Sequence, residues 1–282
     1  MMNILLPTDF SENSRNAAVY AMQFFKDVPC TLHLLHVVPA SSAGHGSGST
    51  AGSQGVQEKF TNLITTLKSF KTNPEHHFTT TCKVNFLIEA VREQVLEKNI
   101  DLILMGTKGS SNKVGAVIGK NTSDVMTKVK CPVLAISENA VYKEHKEILF
   151  PTDYKIQYNT KMLETLLNLS SLSKAQVKIL ELFNTEKEPS EEQLANRVFL
   201  QNSLSPKIPM LQTYYSSKVP DTARLFVKNK NVDMIVMVAK NLNICQRLLK
   251  NRQNNHIPFI NQLPLLCSMD RMAMNIFQRG AF

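Results

Sequence analysis

The chain has 282 residues, with 32 Lys and Arg against 23 Asp and Glu for a net charge of +9; 43% of residues are hydrophobic and 20% charged. This composition excludes whole-chain disorder and the charge density of a histone-like protein. No apolar run reaches the ~18–20 residues of a membrane-spanning helix, and the opening Met1–Asp9 meets an acid before any basic n-region, so no signal peptide is read there.

In chain order, Asn3–Thr8 reads as a short apolar strand. Ser11–Phe25 reads as a helix, with Ser11 as N-cap and Ala17, Ala18, Ala21, Met22 and Phe25 at helical spacing. Thr31–Val38 is a second apolar strand. It is followed by Ser41–Gly55, a Gly/Ser-rich stretch holding five of the ten glycines, which is expected to be a mobile insertion. Val56–Phe70 is then a helix, Thr79–Phe86 a strand, Ile88–Glu97 a helix, Asp101–Met105 an apolar strand, Thr122–Lys130 a helix and Pro132–Ile136 a strand.

The pattern then starts again. Ile4-Leu5-Leu6-Pro7-Thr8-Asp9-Phe10 returns as Ile148-Leu149-Phe150-Pro151-Thr152-Asp153-Tyr154. Ile100–Met105 returns as Val232–Met237, and Cys131–Leu134 as Leu263–Leu266. Landmarks recurring in the same order imply a duplicated unit, giving domains at 1–140 and 141–282. Lys146–Thr152, Ala175–Phe183, Met210–Tyr215, Val232–Val238 and Leu263–Ser268 are the strands of the second copy. Apolar strands alternating with helices predict an α/β architecture of two tandem doubly wound domains. Each has a five-stranded parallel sheet covered by helices on both faces.

In such a sheet, ligands bind beyond the carboxyl ends of the strands, where the winding reverses. Pro7-Thr8-Asp9 and His36-Val37-Val38 close two of these ends. Met105-Gly106 closes a third and leads through Thr107-Lys108-Gly109 to Gly119-Lys120-Asn121-Thr122-Ser123 at the next helix start. Glycines there let the backbone come close to an anion, Thr122 and Ser123 offer hydroxyls, and Lys108, Lys113 and Lys120 add charge. The residues fit a phosphate site. They do not fit a P-loop, since Val114 and Asn121 stand where Gly and Ser/Thr are needed, and no GxGxxG follows the first strand.

Ile4–Ser11, Leu35-His36-Val37, Asp101–Gly109, Gly119 and Cys131–Leu134 together resemble the universal stress protein family, and the repeat resembles its tandem two-domain form. The resemblance implies a Rossmann-like fold akin to adenine nucleotide alpha hydrolases. It also implies an adenine nucleotide such as ATP, with Mg2+ as a candidate companion. Gly106, Gly109 and Gly119 match the family's G-x2-G-x9-G-(S/T) pattern; Lys120 departs from it, and Thr122 fits the Ser/Thr that follows. By the resemblance, Pro7, Thr8 and Asp9 line the adenine–ribose end, and Val37 meets the adenine through its backbone. Met105 and Gly106 flank the ribose, and Gly109, Gly119, Lys120, Asn121 and Thr122 hold phosphates.

The second copy carries Val238, Asn241 and Asn251 where the first has glycines, and Arg252 and Asn254 where it has Lys120 and Thr122. No nucleotide is expected there, because a β-branched residue suits a glycine-like turn poorly. Family domains pair through the strand that closes each sheet, so Pro132–Ile136 and Pro264–Ser268 are expected to pair internally as a pseudo-twofold, leaving a homodimer open. The amphipathic tail Asp270–Phe282 is a candidate cover for a groove or a neighbouring chain.

Charge is uneven: the second half carries +7 of the +9, and no acid lies between Lys240 and Met269. No aromatic pattern accompanies these bases, which argues against nucleic acid. Cys30, Cys82, Cys131, Cys245 and Cys267 form no CxxC pair, so reduced thiols in a cytoplasmic protein are expected rather than disulfides or zinc. His33 and His36 sit on opposite strand faces, and His76-His77 reads as solvated. Asp101 and Asp233 read as closing the turns before their strands. No catalytic set can be assembled. Three functions follow: a nucleotide-binding stress-response signalling or chaperone-like module, a ligand-free dimerisation and interaction scaffold with a lost site, and a slow ATPase using Asp9.

Overall fold

The computed structural model describes residues 1–39, 50–70, 73–108, 118–182, 188–204, 212–215, 232–239 and 263–268. The first half contains β1 (Met2–Pro7), α1 (Glu12–Phe24), β2 (Cys30–Val38), α2 (Thr50–Lys68), β3 (His77–Val84), α3 (Leu87–Glu97), β4 (Leu102–Thr107), α4 (Lys120–Lys128) and β5 (Val133–Ser137). The second contains β6 (Glu147–Thr152), α5 (Thr160–Ser173), β7 (Gln176–Glu181), α6 (Glu191–Leu204), β8 (Gln212–Tyr215), β9 (Met234–Val238) and β10 (Leu265–Ser268).

All ten strands form one sheet in the order β3-β2-β1-β4-β5-β10-β9-β6-β7-β8. Neighbours within each half are parallel. Between the halves β5 and β10 run antiparallel, with Leu134 opposite Leu266 and Val133 opposite Cys267. These are the two strands expected to pair, and their ladder makes a continuous sheet with a pseudo-twofold at the seam.

The central strands read as unbroken apolar runs because both sheet faces are covered. On one face Ile4, Leu32, Leu102 and Leu134 pack with Ala17, Ala21 and Phe60, and the same cluster crosses the seam to Ile148, Leu163 and Leu266. On the other, Leu5, Ile103 and Val133 pack with Val91, Val125 and Met126, and continue into Leu149, Leu265 and Cys267. Each fully buried Leu or Ile contributes about 1.5–3 kcal/mol, so the seam is held by core as well as by ladder bonds.

The repeat is visible at the level of single bonds. Phe10 and Tyr154 both take positive φ, 62° and 56°. Their amides donate to the hydroxyls of Thr8 (3.0 Å) and Thr152 (2.9 Å). In the next turn Ser11 N–H donates to Asp9 Oδ1 (3.0 Å) and Lys155 N–H to Asp153 Oδ1 (3.2 Å). Thr-Asp-aromatic is therefore a turn that carries the chain from strand end to helix start. Asp101 and Asp233, expected to close the turns before their strands, have long-range partners as well. They reach across to the first strand of their half, where Asp101 accepts from Asn3 N–H (2.8 Å) and Asp233 from the amides of Lys146 (2.8 Å) and Glu147 (3.1 Å).

Two other expectations change. Thr50–Gly55 belongs to α2 rather than to an insertion, since a helix once nucleated over the apolar positions after Val56 extends cheaply into preceding small residues. His76 is buried, its Nε2 3.1 Å from Phe25 O and 3.0 Å from Val28 O, so it fastens the turn after α1 instead of standing in solvent. Cys82 is exposed on the outer strand, whereas Cys30, Cys131 and Cys267 are buried. The tail 270–282, the basic stretch 240–252 and residues 41–49 lie outside the described residues.

Candidate functional site

The sheet places the carboxyl ends of β1, β2, β3 and β4 side by side, and between them opens a cavity of about 530 Å³. Pro7, Thr8, Asp9, Val37, Met105, Gly106, Gly119, Lys120, Asn121 and Thr122 all line it; Gly109 and Lys113 lie outside the described residues. Ser11, Asn13, Ser14, Leu35, Pro39, Asn85, Phe86, Leu87 and Lys108 complete the wall.

One end is made by the β1–α1 turn. Ser11 caps α1, its Oγ accepting from Ser14 N–H at 3.3 Å, an arrangement worth about 1 kcal/mol. Asp9 Oδ1 accepts from the Ser11 amide (3.0 Å) and hydroxyl (2.5 Å). Burial pushes the Asp9 pKa up, but the bonds from Ser11 and Ser14 outweigh it and hold the carboxyl below its ordinary value. Asp9 thus braces the Ser11 cap and lines the cavity with one side chain. Thr8 Oγ1 and Ser14 Oγ lie 3.0 Å apart, and His36 Nδ1 donates to Thr8 O at 2.8 Å. The His36 ring packs on Phe10 at 4.7 Å, so His36 braces the turn from behind.

The other end is made by β4 and α4. Gly119 is the N-cap of α4 and has no side chain to fill that role. Its N–H donates to Thr107 Oγ1 (2.8 Å), and the first intrahelical bond runs from Ser123 N–H to Gly119 O. The amides of Lys120, Asn121 and Thr122 precede that bond and form the partly positive helix end. Neither Gly106 nor Gly119 has a positive φ; each is small because something sits against it. A Cβ at 119 would stand 2.7 Å from Lys108 O, and one at 106 would stand 2.7 Å from Asn13. This corrects the turn-conformation argument for Val238: the requirement at 106 is space, and Val238 lies in the ordinary extended strand β9. Thr122 is buried and its hydroxyl donates to Gly106 O (3.2 Å), so it ties α4 to β4 as well as facing the cavity.

Asn13, Asn85, Phe86 and Leu87 were not foreseen. Asn13 Oδ1 is buried and has no hydrogen-bond partner. Asn85 fixes the β3–α3 corner: its amide donates to Val38 O (3.1 Å) and its Oδ1 accepts from Phe86 N–H (2.7 Å). Phe86 is held there 68% exposed. The parallel order of β1 to β4 puts every strand end on one side, and that signal could have found the corner.

Leu35, Val37, Pro39, Leu87 and Met105 make an apolar wall, Thr8, Asp9 and Asn13 a polar edge, and Lys108, Lys120 and α4 a cationic end. The size is that of a small-molecule site, and this sequence of surfaces fits the base, sugar and phosphates of a nucleotide.

The second half carries different side chains at the described positions that correspond. Strand register sets Pro151 opposite Leu180 as it sets Pro7 opposite Leu35, so Glu181 stands where His36 does. Glu181 is fully buried; it accepts from Tyr154 O–H (2.6 Å) and Arg197 Nε (2.9 Å). Val238 is 2% exposed. Positions 241, 251, 252 and 254 lie outside the described residues. Among the described residues no helix is long and apolar enough to cross a membrane.

The profile described as "Universal stress protein family" matches residues 1–137. No curated protein matches the sequence significantly. Among solved structures, the chain is similar to a universal stress protein from Archaeoglobus fulgidus, with 14% identity, 95% of this chain and 96% of that one covered, and a TM-score of 0.66. It is also similar to a putative universal stress protein from Pseudomonas aeruginosa (11% identity, 95% and 93% covered, TM-score 0.57). A third is the cytoplasmic domain of a prokaryotic cation chloride cotransporter (11% identity, 95% and 95% covered, TM-score 0.56). At these identities the likeness is one of fold, and a fold shared by such different proteins leaves function to be argued from the site.

Proposed function

Residues 1–137 belong to the universal stress protein family, and from that premise and the cavity we propose that this chain is a stress-response module that binds an adenine nucleotide such as ATP in its first domain only. The domains in this reading are 1–140 and 141–282. The carrying observation is the meeting of four strand ends with the N-terminus of α4 around about 530 Å³, with Gly106 and Gly119 keeping side chains out of the space. The apolar wall around Val37 takes the base, the edge formed by Thr8, Asp9 and Asn13 faces the sugar, and Lys108, Lys120 and the α4 amides take the phosphates. The second domain, with Val238 in place of Gly106 and Glu181 in place of His36, acts as scaffold. Asp9 is the single candidate base for hydrolysis, and its bonds to Ser11 make it a weak one.

A ligand-free scaffold is the second reading. It is favoured by the internal use of Gly119 N–H and the Thr122 hydroxyl, both satisfied by the fold itself. Calorimetry of the full chain with ATP separates the two. Saturable heat at micromolar to sub-millimolar ATP that disappears in a Gly106→Val variant supports the nucleotide site; no heat up to millimolar ATP supports the scaffold.

A further inference from the structure

The charges around the cavity bear on the form in which a nucleotide enters. Building on the nucleotide reading, we infer that the site selects the metal-free polyphosphate over its magnesium complex, with Lys108, Lys120 and the N-terminus of α4 neutralising the phosphates in place of a divalent ion.

The donor set does not suit Mg2+. That ion demands near-octahedral oxygen ligation and is usually held by one or two carboxylates together with phosphates and water. Among the described residues Asp9 is the sole carboxylate on the cavity wall. Its Oδ1 already accepts from the Ser11 amide (3.0 Å) and hydroxyl (2.5 Å). It belongs to the β1–α1 turn, whereas Lys108 follows β4 and Lys120 opens α4. Among the described residues no three His, Cys, Asp or Glu side chains are grouped to hold a metal.

The cations, by contrast, are available. The acid one turn along α4 from Lys120 is Asp124, and Asp124 pairs with Lys128 at 2.8 Å. Neither Lys120 nor Lys108 forms an ion pair among the described residues. Two lysines and the positive end of a helix line one end of the cavity. A dication placed among them is repelled, and its complex carries less negative charge to attract them. Lys120 occupies the position where the family pattern has a hydroxyl, so the exchange replaces a neutral oxygen by a charge. Because Mg2+ binds ATP in solution, adding it withdraws the preferred form, and the apparent affinity falls by mass action.

The test is calorimetry of the full chain with ATP, once in excess EDTA and once in saturating Mg2+. The expected result is a Kd about fivefold or more tighter in EDTA, with Lys120→Ser weakening the EDTA arm about threefold and shrinking the difference between the buffers. Thermal melting of Lys120→Ser, an exposed substitution, verifies that the variant is folded. Equal affinity in the two buffers, or tighter binding with Mg2+, overturns this inference and leaves the nucleotide site standing. Binding in neither buffer overturns the nucleotide reading and this inference with it.

Discussion

A Cβ placed on Gly106 would stand 2.7 Å from the side-chain Nδ2 of Asn13 and 2.7 Å from its carbonyl oxygen. Strand β4 and the first turn of α1 thus touch at the floor of the cavity, and no side chain fits between them. In the second half α5 begins at Thr160, whereas the repeat offset that sets Ile4 against Ile148 would place its start at 156. The turn that crowds Gly106 is missing there, and Val238 is buried without conflict. Gly106→Ala is therefore expected to cost about 1–3 kcal/mol of stability by overpacking and to weaken nucleotide binding tenfold or more. Shortening Asn13 to Gly should not restore either property, because the Asn13 carbonyl stays where it is. Urea unfolding and ATP titration of the single and double variants measure this; recovery in the double variant would show that the backbone contact is not the obstacle.

The second half holds a buried carboxylate in a hydrogen-bonded network. Glu181 is fully buried and receives Tyr154 O–H at 2.6 Å, Arg197 Nε at 2.9 Å and Arg197 Nη2 at 3.3 Å. Burial first, and then the neighbouring Glu181, push the Tyr154 hydroxyl far above its ordinary pKa, so it stays a donor. Arg197→Met leaves the carboxylate buried with the tyrosine alone and is expected to cost about 3 kcal/mol. Glu181→Leu combined with Arg197→Met removes both charges and should recover more than half of that loss. A double-mutant cycle by urea denaturation decides it; a loss below ~0.5 kcal/mol for Arg197→Met would place the pair among ordinary surface ion pairs.

The strands were legible because Ile4–Leu6 and Leu102–Met105 are unbroken apolar runs in strands covered on both sheet faces. The seam was legible through Cys131–Leu134 and its repeat, and the cavity through Gly106 and Gly119. Asn13 and Phe86 were not, since their roles depend on which strand ends are neighbours and not on local spacing. The link from Asp101 to Asn3 was hidden for the same reason: 98 positions separate them. The helical Thr50–Gly55 was hidden by composition, because extending an existing helix avoids the nucleation cost even where glycine and serine are poor helix formers.

Two buried histidines set the response to acid. His33 sits between Thr79 Oγ1 (2.8 Å) and Asn3 Oδ1 (3.3 Å); burial, aided by the charge of Lys98, lowers its pKa to about 4. His145 has its Nε2 2.7 Å from Tyr20 O–H, while Nδ1 is buried without a partner. Burial also lowers His145 to about 4, with Asp233 opposing the shift and Lys143 adding to it. Both would titrate at an ordinary 6.5 in the unfolded chain. Below that value the unfolded chain takes up protons that the folded one refuses, so their contribution is complete above about pH 6.5. It is lost as pH falls towards about 4, at roughly 1.4 kcal/mol per pH unit for each histidine, and levels off below. Asp9 and Asp233 also have lowered values, but their contribution persists until the unfolded carboxylates protonate near 3.8, which leaves the window from 6.5 to 4 to the histidines. Urea midpoints should therefore fall steeply between pH 6.5 and 4.5, and His145→Gln should remove about half of the slope. A midpoint that stays level from pH 7 to 5 in the unsubstituted chain would mean that neither ring is kept neutral by the fold.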